Sequence, residues 1–278
     1  MLRIDGLPTH VLCEGSGPVT VLTGGLGSPW FDWDEVVPLL APYRTVVRFD
    51  RPGLGLSAPA VRVPTAAGEA ARIRRVLAAL GLTGRCEVVG HSLAGFHAEA
   101  FARLHPERTA GLVLVESSVV EDGPSPFPAG LRIGAARALG TALSAAGLPR
   151  LLAGTARRLT VRTATVRHHD PVPDRLVRRC YGTSRTLHTV LLENATYRDL
   201  VTETVALRAR HPLPPVPVTV LAAYDASDSP HELRWLDQQR RLAALLGGEF
   251  RLSAPAGHQL MLDDPAAVAR AVLGTAPR

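Results

Sequence analysis

An α/β fold, with a mostly parallel central sheet flanked by helices and an inserted helical cap, is predicted by three features of this 278-residue chain. Short β-branched runs alternate with segments of helical apolar spacing, the pattern of a parallel sheet covered on both faces. One such run, Cys86-Glu87-Val88-Val89-Gly90-His91, turns at Ser92 straight into a helical stretch beginning Leu93-Ala94-Gly95. The alternation then lapses from about Ser118 to Pro215 before it resumes, a gap too long for a loop.

The elements follow in order. Thr9 to Glu14 and Val19 to Thr23 read as strands, with a hairpin-like turn signal in Gly15-Ser16-Gly17-Pro18. The second strand enters Gly24-Gly25-Leu26-Gly27-Ser28, where glycines let backbone N–H groups approach a ligand closely. Trp30, Phe31 and Trp33 come next, then a short helix over Asp34 to Leu40 and a strand over Tyr43 to Asp50. Ala70, Ile73, Leu77 and Leu80 recur at helical spacing, and Gly81 supplies the stop. The helix after Ser92 ends near His105-Pro106, and Gly111 to Glu116 is a continuous apolar strand suited to the middle of a sheet. Ser118 to Pro215, rich in Ala, Arg and Leu with Pro and Gly breaks, reads as several short helices lying over the site. Val218 to Ala223 and Glu249 to Ser253 complete the strands, with a helix over His231 to Leu246 between them. Asp264 is placed to cap the last helix, with Pro265 in its first turn. The expected organisation is therefore a core of residues 1–117 and 216–278, interrupted by a cap of residues 118–215.

Composition narrows the function classes. The formal charge is +6, every basic residue is Arg, and residues 117–215 hold 14 Arg against 7 Asp and Glu. Pro and Ala, rather than stacking aromatics, separate those arginines, so the segment reads as a solvated helical face and not a nucleic-acid surface. Cys13, Cys86 and Cys180 are far apart and lack metal-ligand spacing. The N-terminal Met1-Leu2-Arg3-Ile4-Asp5-Gly6 lacks the apolar stretch of a secretory signal, and no run has membrane-spanning length. A cytoplasmic protein acting on a small molecule, with no metal, cofactor, membrane or nucleic-acid partner, is the expectation. His168, His169 and Asp170 read as exposed cap residues rather than metal ligands.

A strand that turns at once into a helix leaves one residue on a sharp, strained turn. A serine there lifts its hydroxyl above the sheet edge, where free helix N–H groups converge. A serine hydroxyl needs a neutral imidazole to take its proton and a carboxylate to orient that imidazole. His258 and Asp225 each lie in the loop just beyond a predicted strand, and parallel strands deliver such loops to the same edge as Ser92. Asp228 competes with Asp225 for the acid. Glu116 also ends a strand at that edge and reads more simply as a carboxylate capping the next turn; His97 reads as a packed helix residue, and Asp50 with Arg51 as a loop brace.

The order Ser, acid, His, together with Gly90-His91-Ser92-Leu93-Ala94-Gly95, Gly257-His258 and Asp264-Pro265, resembles the α/β-hydrolase fold superfamily over nearly the whole chain. Asp50-Arg51-Pro52-Gly53-Leu54-Gly55-Leu56-Ser57 resembles that family's loop after the third strand. The resemblance implies Ser92 as nucleophile, His258 as base, and an oxyanion hole built from the Leu93 N–H and that of Leu26, with Gly25 as the alternative. Two positions depart from it. Gly24 stands where the family commonly has a His that braces the loop, and Ala222 or Ala223 stands where a Gly precedes the acid. The implied activity is cofactor-independent hydrolysis of a small or medium-sized, mainly apolar ester or related acyl compound. A cofactor-free lyase or oxygenase, a C–C hydrolase, or a ligand-binding protein on the same scaffold are the alternatives.

Overall fold

The structure, a computed structural model, describes residues 1–120 and 125–274; residues 121–124 of the expected cap and 275–278 lie outside it. Nine strands occur among the described residues: β1 (Leu2–Ile4), β2 (Leu7–Thr9), β3 (Val11–Gly15), β4 (Val19–Thr23), β5 (Thr45–Phe49), β6 (Cys86–His91), β7 (Thr109–Val115), β8 (Val218–Ala223) and β9 (Glu249–Ser253). The first two form a small antiparallel ribbon, and the other seven form one sheet in the order β3-β5-β4-β6-β7-β8-β9. Every pairing in that sheet is parallel except β3 with β5.

The turn signal after β3 does not close a hairpin. Val11 pairs with Phe49 across β3 and β5, while β4 lies on the far side of β5 and pairs Val19 with Thr45. Burial explains the exchange: β4 is almost wholly buried and takes an interior place, whereas Cys13, Glu14 and Gly15 leave β3 exposed enough for an edge. Gly15, at φ +78°, steps the chain over the start of β5, where a side chain would run into the carbonyl oxygens of Ala41 and Arg44.

All six residues of β6 are buried, because both faces of the sheet are covered. Alternate residues divide between two cores. Val21, Val88, Leu112 and Val220 face α2 (Ala66–Ala79) and α3 (Ala94–Leu104), and Leu22, Val89, Val113 and Leu221 face the chain's closing elements. In α2, Thr65 accepts from the Gly68 N–H at the start and Gly81 at φ +72° ends the helix, so the residues at helical spacing fall on the sheet side. Burying Ile73 or Leu77 there contributes about 1.5–3 kcal/mol each. The closing elements are α9 (Leu260–Asp263) and α10 (Pro265–Gly274), preceded on this face by the short α1 (Val37–Leu40), whereas α8 (Pro230–Leu245) packs with α2 and α3 on the other face. The Asp264 carboxylate caps α10 by accepting the Ala267 N–H at 2.9 Å.

Between β7 and β8 stand α4 (Ala129–Ala145), α5 (Leu148–Ala164), α6 (Asp174–Tyr181) and α7 (Ser184–Arg210). They are not uniformly short: α7 runs for 27 residues because no Pro or Gly interrupts it. Nor is the basic stretch simply a solvated face. Arg157 of α5 pairs at 2.7 Å with Asp32, both fully buried, and also with Asp170. Arg208 of α7 pairs at 2.7 Å with the buried Glu99 of α3. Glu203 of α7 accepts the Ala66 and Ala67 N–H groups at the start of α2, where the helix dipole favours a carboxylate. The inserted helices are thus fastened to the core by charge-assisted contacts, which fix their seating more than they add stability. No helix among the described residues is long and apolar enough to cross a membrane.

Candidate active site

Ser92 sits at φ +52°, in the left-handed region that a non-glycine residue occupies only when its surroundings compel it. Compulsion comes from three sides. The Ser92 N–H donates to Val115 O at 3.1 Å, and the Ser92 carbonyl accepts from the N–H groups of Gly95 and Ser118. A side chain at Gly90 would strike the Ala94 carbonyl, and one at Gly95 would strike the Ser117 hydroxyl. On the helix side, then, the demand for a missing Cβ falls on Gly95, and Ala94 is accommodated with its methyl fully buried.

His258 Nε2 lies 3.0 Å from Ser92 Oγ, and His258 Nδ1 lies 3.0 Å from Glu116 Oε2. With Nδ1–H donating to the carboxylate, Nε2 carries the lone pair that accepts the Ser92 hydroxyl proton. Glu116 is buried and receives two further donors, the Ala223 N–H at 2.7 Å and Trp235 Nε1–H at 3.0 Å. Trp235 also stands edge-on to the His258 ring, with centroids 6.3 Å apart.

The structure sets Glu116, rather than the Asp225 or Asp228 expected from the sequence, against His258. Asp225 is exposed, and its carboxylate folds back to accept the Ser227 N–H at 2.8 Å. Asp228 is exposed as well and accepts the Tyr224 hydroxyl. Ala226 and Asp228 both adopt positive φ, which curls this loop on itself. Glu116 arrives instead from β7, the immediate neighbour of β6. An available signal was that a carboxylate closing a wholly apolar central strand must find buried donors or be strongly destabilised.

The backbone of His258 is itself held. His91, beside Ser92 in sequence, donates from Nε2 to the His258 carbonyl at 2.9 Å. Burial lowers the His91 pKa to about 3, with the nearby His258 and Arg51 acting in the same direction, so His91 is neutral. The Asp263 carboxylate accepts the N–H groups of Gly257 from one side and of Val166 and Arg167, just beyond α5, from the other. Burial likewise keeps His97 neutral, with its ring wholly inside α3's packing, as the sequence suggested.

Gly25 packs against this constellation so closely that a Cβ there would lie 3.0 Å from Ser92 Cβ and 2.9 Å from His91 Nδ1. Among the described residues no acceptor lies on the N–H of Leu26 or of Leu93, the pair expected to form an oxyanion hole. The loop lacks the bracing His, yet it is braced. Arg51 donates to the Gly24 carbonyl and, at 2.6 Å, to the Gly25 carbonyl, while Glu193 of α7 accepts the Gly27 N–H at 2.8 Å. Asp50 is not Arg51's partner; it accepts from the N–H groups of Trp30 and Leu56 and faces His10. Beside His258 and Glu116 opens a cleft of about 830 Å³, walled by Thr165, His168, Asp225, His231, Arg234 and Trp235. His168 belongs to this wall, and no group of three potential metal ligands occurs among the described residues.

The chain is similar to known proteins in sequence and in fold. Over 108 residues the chain is 38% identical to a pimeloyl-[acyl-carrier protein] methyl ester esterase of Aeromonas hydrophila, covering 37% of this chain and 39% of the esterase. Over 133 residues it is 30% identical to a soluble epoxide hydrolase of Corynebacterium, covering 47% and 46% of the two chains. The matches thus span less than half the length of these curated relatives. Among solved structures, Cfl2 of Burkholderia cenocepacia superposes with a TM-score of 0.73 at 22% identity over 98% of this chain and 93% of its own. A thermophilic esterase of Thermogutta terrifontis gives 0.71 at 22% identity over 96% and 92%. These likenesses establish the fold. Residues 20–271 match the profile of the Alpha/beta hydrolase family, and with the strand order, the strained Ser92 turn and the inserted helices in place, the chain belongs to that family.

Proposed function

We propose that this protein is a cofactor-independent serine hydrolase acting on small or medium-sized, mainly apolar esters or related acyl compounds. The observation that carries the reading is the unbroken relay from Ser92 Oγ through the two ring nitrogens of His258 to the buried Glu116 carboxylate. Ser92 attacks the carbonyl carbon as His258 takes the hydroxyl proton, and Glu116 stabilises the imidazolium that results. The N–H groups of Leu93 and Leu26 receive the oxyanion of the tetrahedral intermediate. His258 then protonates the departing alkoxide, and a water activated by the same imidazole releases the acyl group from Ser92.

The relatives named above divide between ester and epoxide chemistry, and the nucleophile favours the ester side. A serine oxygen that opened an epoxide would be left as an ether, which water at this site has no means of cleaving. An ester carbonyl instead leaves an acyl-enzyme that the same base hydrolyses.

Exposure of the protein to a fluorophosphonate, read by intact mass, tests this directly. One adduct is expected on the native chain and none on Ser92→Ala, which also loses hydrolysis of a short-chain p-nitrophenyl ester by more than about 10³-fold. Absence of an adduct on the folded native protein would overturn the reading in favour of a lyase, an oxygenase or a binding protein.

A further inference from the structure

Arg51 and Glu193 form a bridge between the inserted helices and the glycine loop beside Ser92, and neither residue takes part in the chemistry outlined above. Glu193 lies on α7, its carboxylate buried, with Oε1 2.8 Å from Arg51 Nε and Oε2 3.0 Å from Arg51 Nη2. This is a two-point fork, the geometry that fixes a guanidinium in direction as well as place. Held so, Arg51 sends one terminal nitrogen to the Gly24 carbonyl and the other to the Gly25 carbonyl. The second oxygen of Glu193 also accepts the Gly27 N–H at 2.8 Å, so one carboxylate grips the loop directly and through the arginine.

A planar trans peptide points its N–H opposite to its C=O. Gripping the Gly24 carbonyl therefore aims the Gly25 N–H, and gripping the Gly25 carbonyl aims the Leu26 N–H. Those are the two amides from which the oxyanion donor must come. Val190, one helical turn before Glu193, closes over Gly27, where a Cβ would meet its methyl at 2.8 Å. Burial of Arg51 works against its charge, but the surrounding carboxylates, Glu193 foremost with Glu69 and Asp50, together outweigh it and the guanidinium is held more firmly protonated than usual.

We propose that Arg51 and Glu193 are positioning residues that orient the oxyanion-donating amide, making helix α7 a structural part of the oxyanion hole. The inference rests on the serine hydrolase reading. It predicts that loosening the bridge harms the transition state more than substrate binding, because an amide aimed a few tenths of an ångström wrong still tolerates the neutral carbonyl.

The test uses the full chain with Glu193→Ala and the near-isosteric Glu193→Gln, beside Arg208→Gln, which removes a different contact between α7 and the core. Readouts are kcat and KM on a p-nitrophenyl ester, inhibition by an aryl trifluoromethyl ketone that forms a tetrahedral adduct with serine, and Tm. For Glu193→Ala a kcat loss of about 10- to 100-fold is expected, with KM within threefold and ketone affinity falling in step with kcat/KM. Glu193→Gln should retain part of the activity, since its amide oxygen can still accept the Gly27 N–H, and Arg208→Gln should lower Tm while leaving kcat and ketone affinity intact. A folded Glu193→Gln with native kcat and ketone affinity would overturn the proposal. So would an equal kcat loss in Arg208→Gln, which would reduce Glu193 to general docking. Failure of the native protein to form either a fluorophosphonate or a ketone adduct would instead strike down the serine hydrolase reading itself.

Discussion

Two carboxylates leave the same edge of the sheet one strand apart, Glu116 after β7 and Asp225 after β8, and they meet opposite fates. Glu116 is buried under Trp235 and α8 and ends with three donors on its oxygens. Asp225 opens an exposed loop and satisfies itself with the Ser227 N–H two residues on. The distance between them along the edge is small; the difference lies in what covers them. A carboxylate in water gains little by facing an imidazole, because solvent screens the pair, whereas a buried one must keep its partners or be left with an uncompensated charge. Position on the topology brings an acid within reach of His258, and packing decides which acid is held there.

That comparison can be broken most directly by exchange at the two positions. Glu116→Gln should reduce kcat/KM on an activated ester by about 10³- to 10⁴-fold, since an amide cannot stabilise the imidazolium. Asp225→Asn should stay within about twofold of the native rate, as expected for an exposed side chain that touches no reacting group. A large loss in Asp225→Asn with a mild one in Glu116→Gln would reverse the assignment.

Trp235 offers a finer measurement, because its indole N–H lies 3.0 and 3.1 Å from the two Glu116 oxygens. Trp235→Phe keeps most of the packing and removes only the donor. Unfolding in urea should show a loss of about 1–3 kcal/mol, the cost of a buried charged acceptor left one partner short. A roughly tenfold lower kcat should accompany it as the carboxylate loosens its hold on His258. Native stability in this variant would mean that the Ala223 and His258 donors suffice.

A further effect concerns acid stability. Burial lowers the folded-state pKa of His91 to about 3, while an unfolded histidine titrates near its ordinary 6.5. The unfolded chain therefore binds a proton that the folded chain refuses as pH falls below that value. The stability from this group is complete above pH 6.5 and is lost progressively toward pH 3. Each such histidine lowers stability by at most roughly 1.4 kcal/mol per pH unit across its window, and the buried His97 acts with the same sign. Urea unfolding between pH 7 and pH 5 should show this slope, and His91→Gln should flatten it by about one proton's worth. An unchanged slope would mean that His91 opens to solvent before it is protonated.

Much of this protein is legible along the chain because the features concerned are local. Alternating β-branched and helical segments mark the strands and helices. The Gly90-His91-Ser92 turn announces itself through the small residues that a strand-to-helix corner requires, and Asp264-Pro265 marks the start of the last helix. Residues 118–215 stand out by length alone as a gap in the alternation, and four helices occupy the space between β7 and β8. Each of these rests on sterics or periodicity within a few residues.

The remainder depends on which distant surfaces meet. Whether β3 pairs with β4 or with β5 turns on which strand bears burial on both faces, something the glycine turn between them does not encode. Glu116 reaches His258 across 142 positions of sequence, and Glu193 reaches Gly27 across 166. The sequence by itself determined the alternation of strands and helices, the mostly parallel character of the sheet and the Ser92 turn, since backbone strain and apolar spacing act at short range. Only the tertiary structure decided which carboxylate meets His258, which strand takes the edge and what braces the glycine loop, because desolvation and hydrogen-bond reach exist only once the chain has closed around those groups.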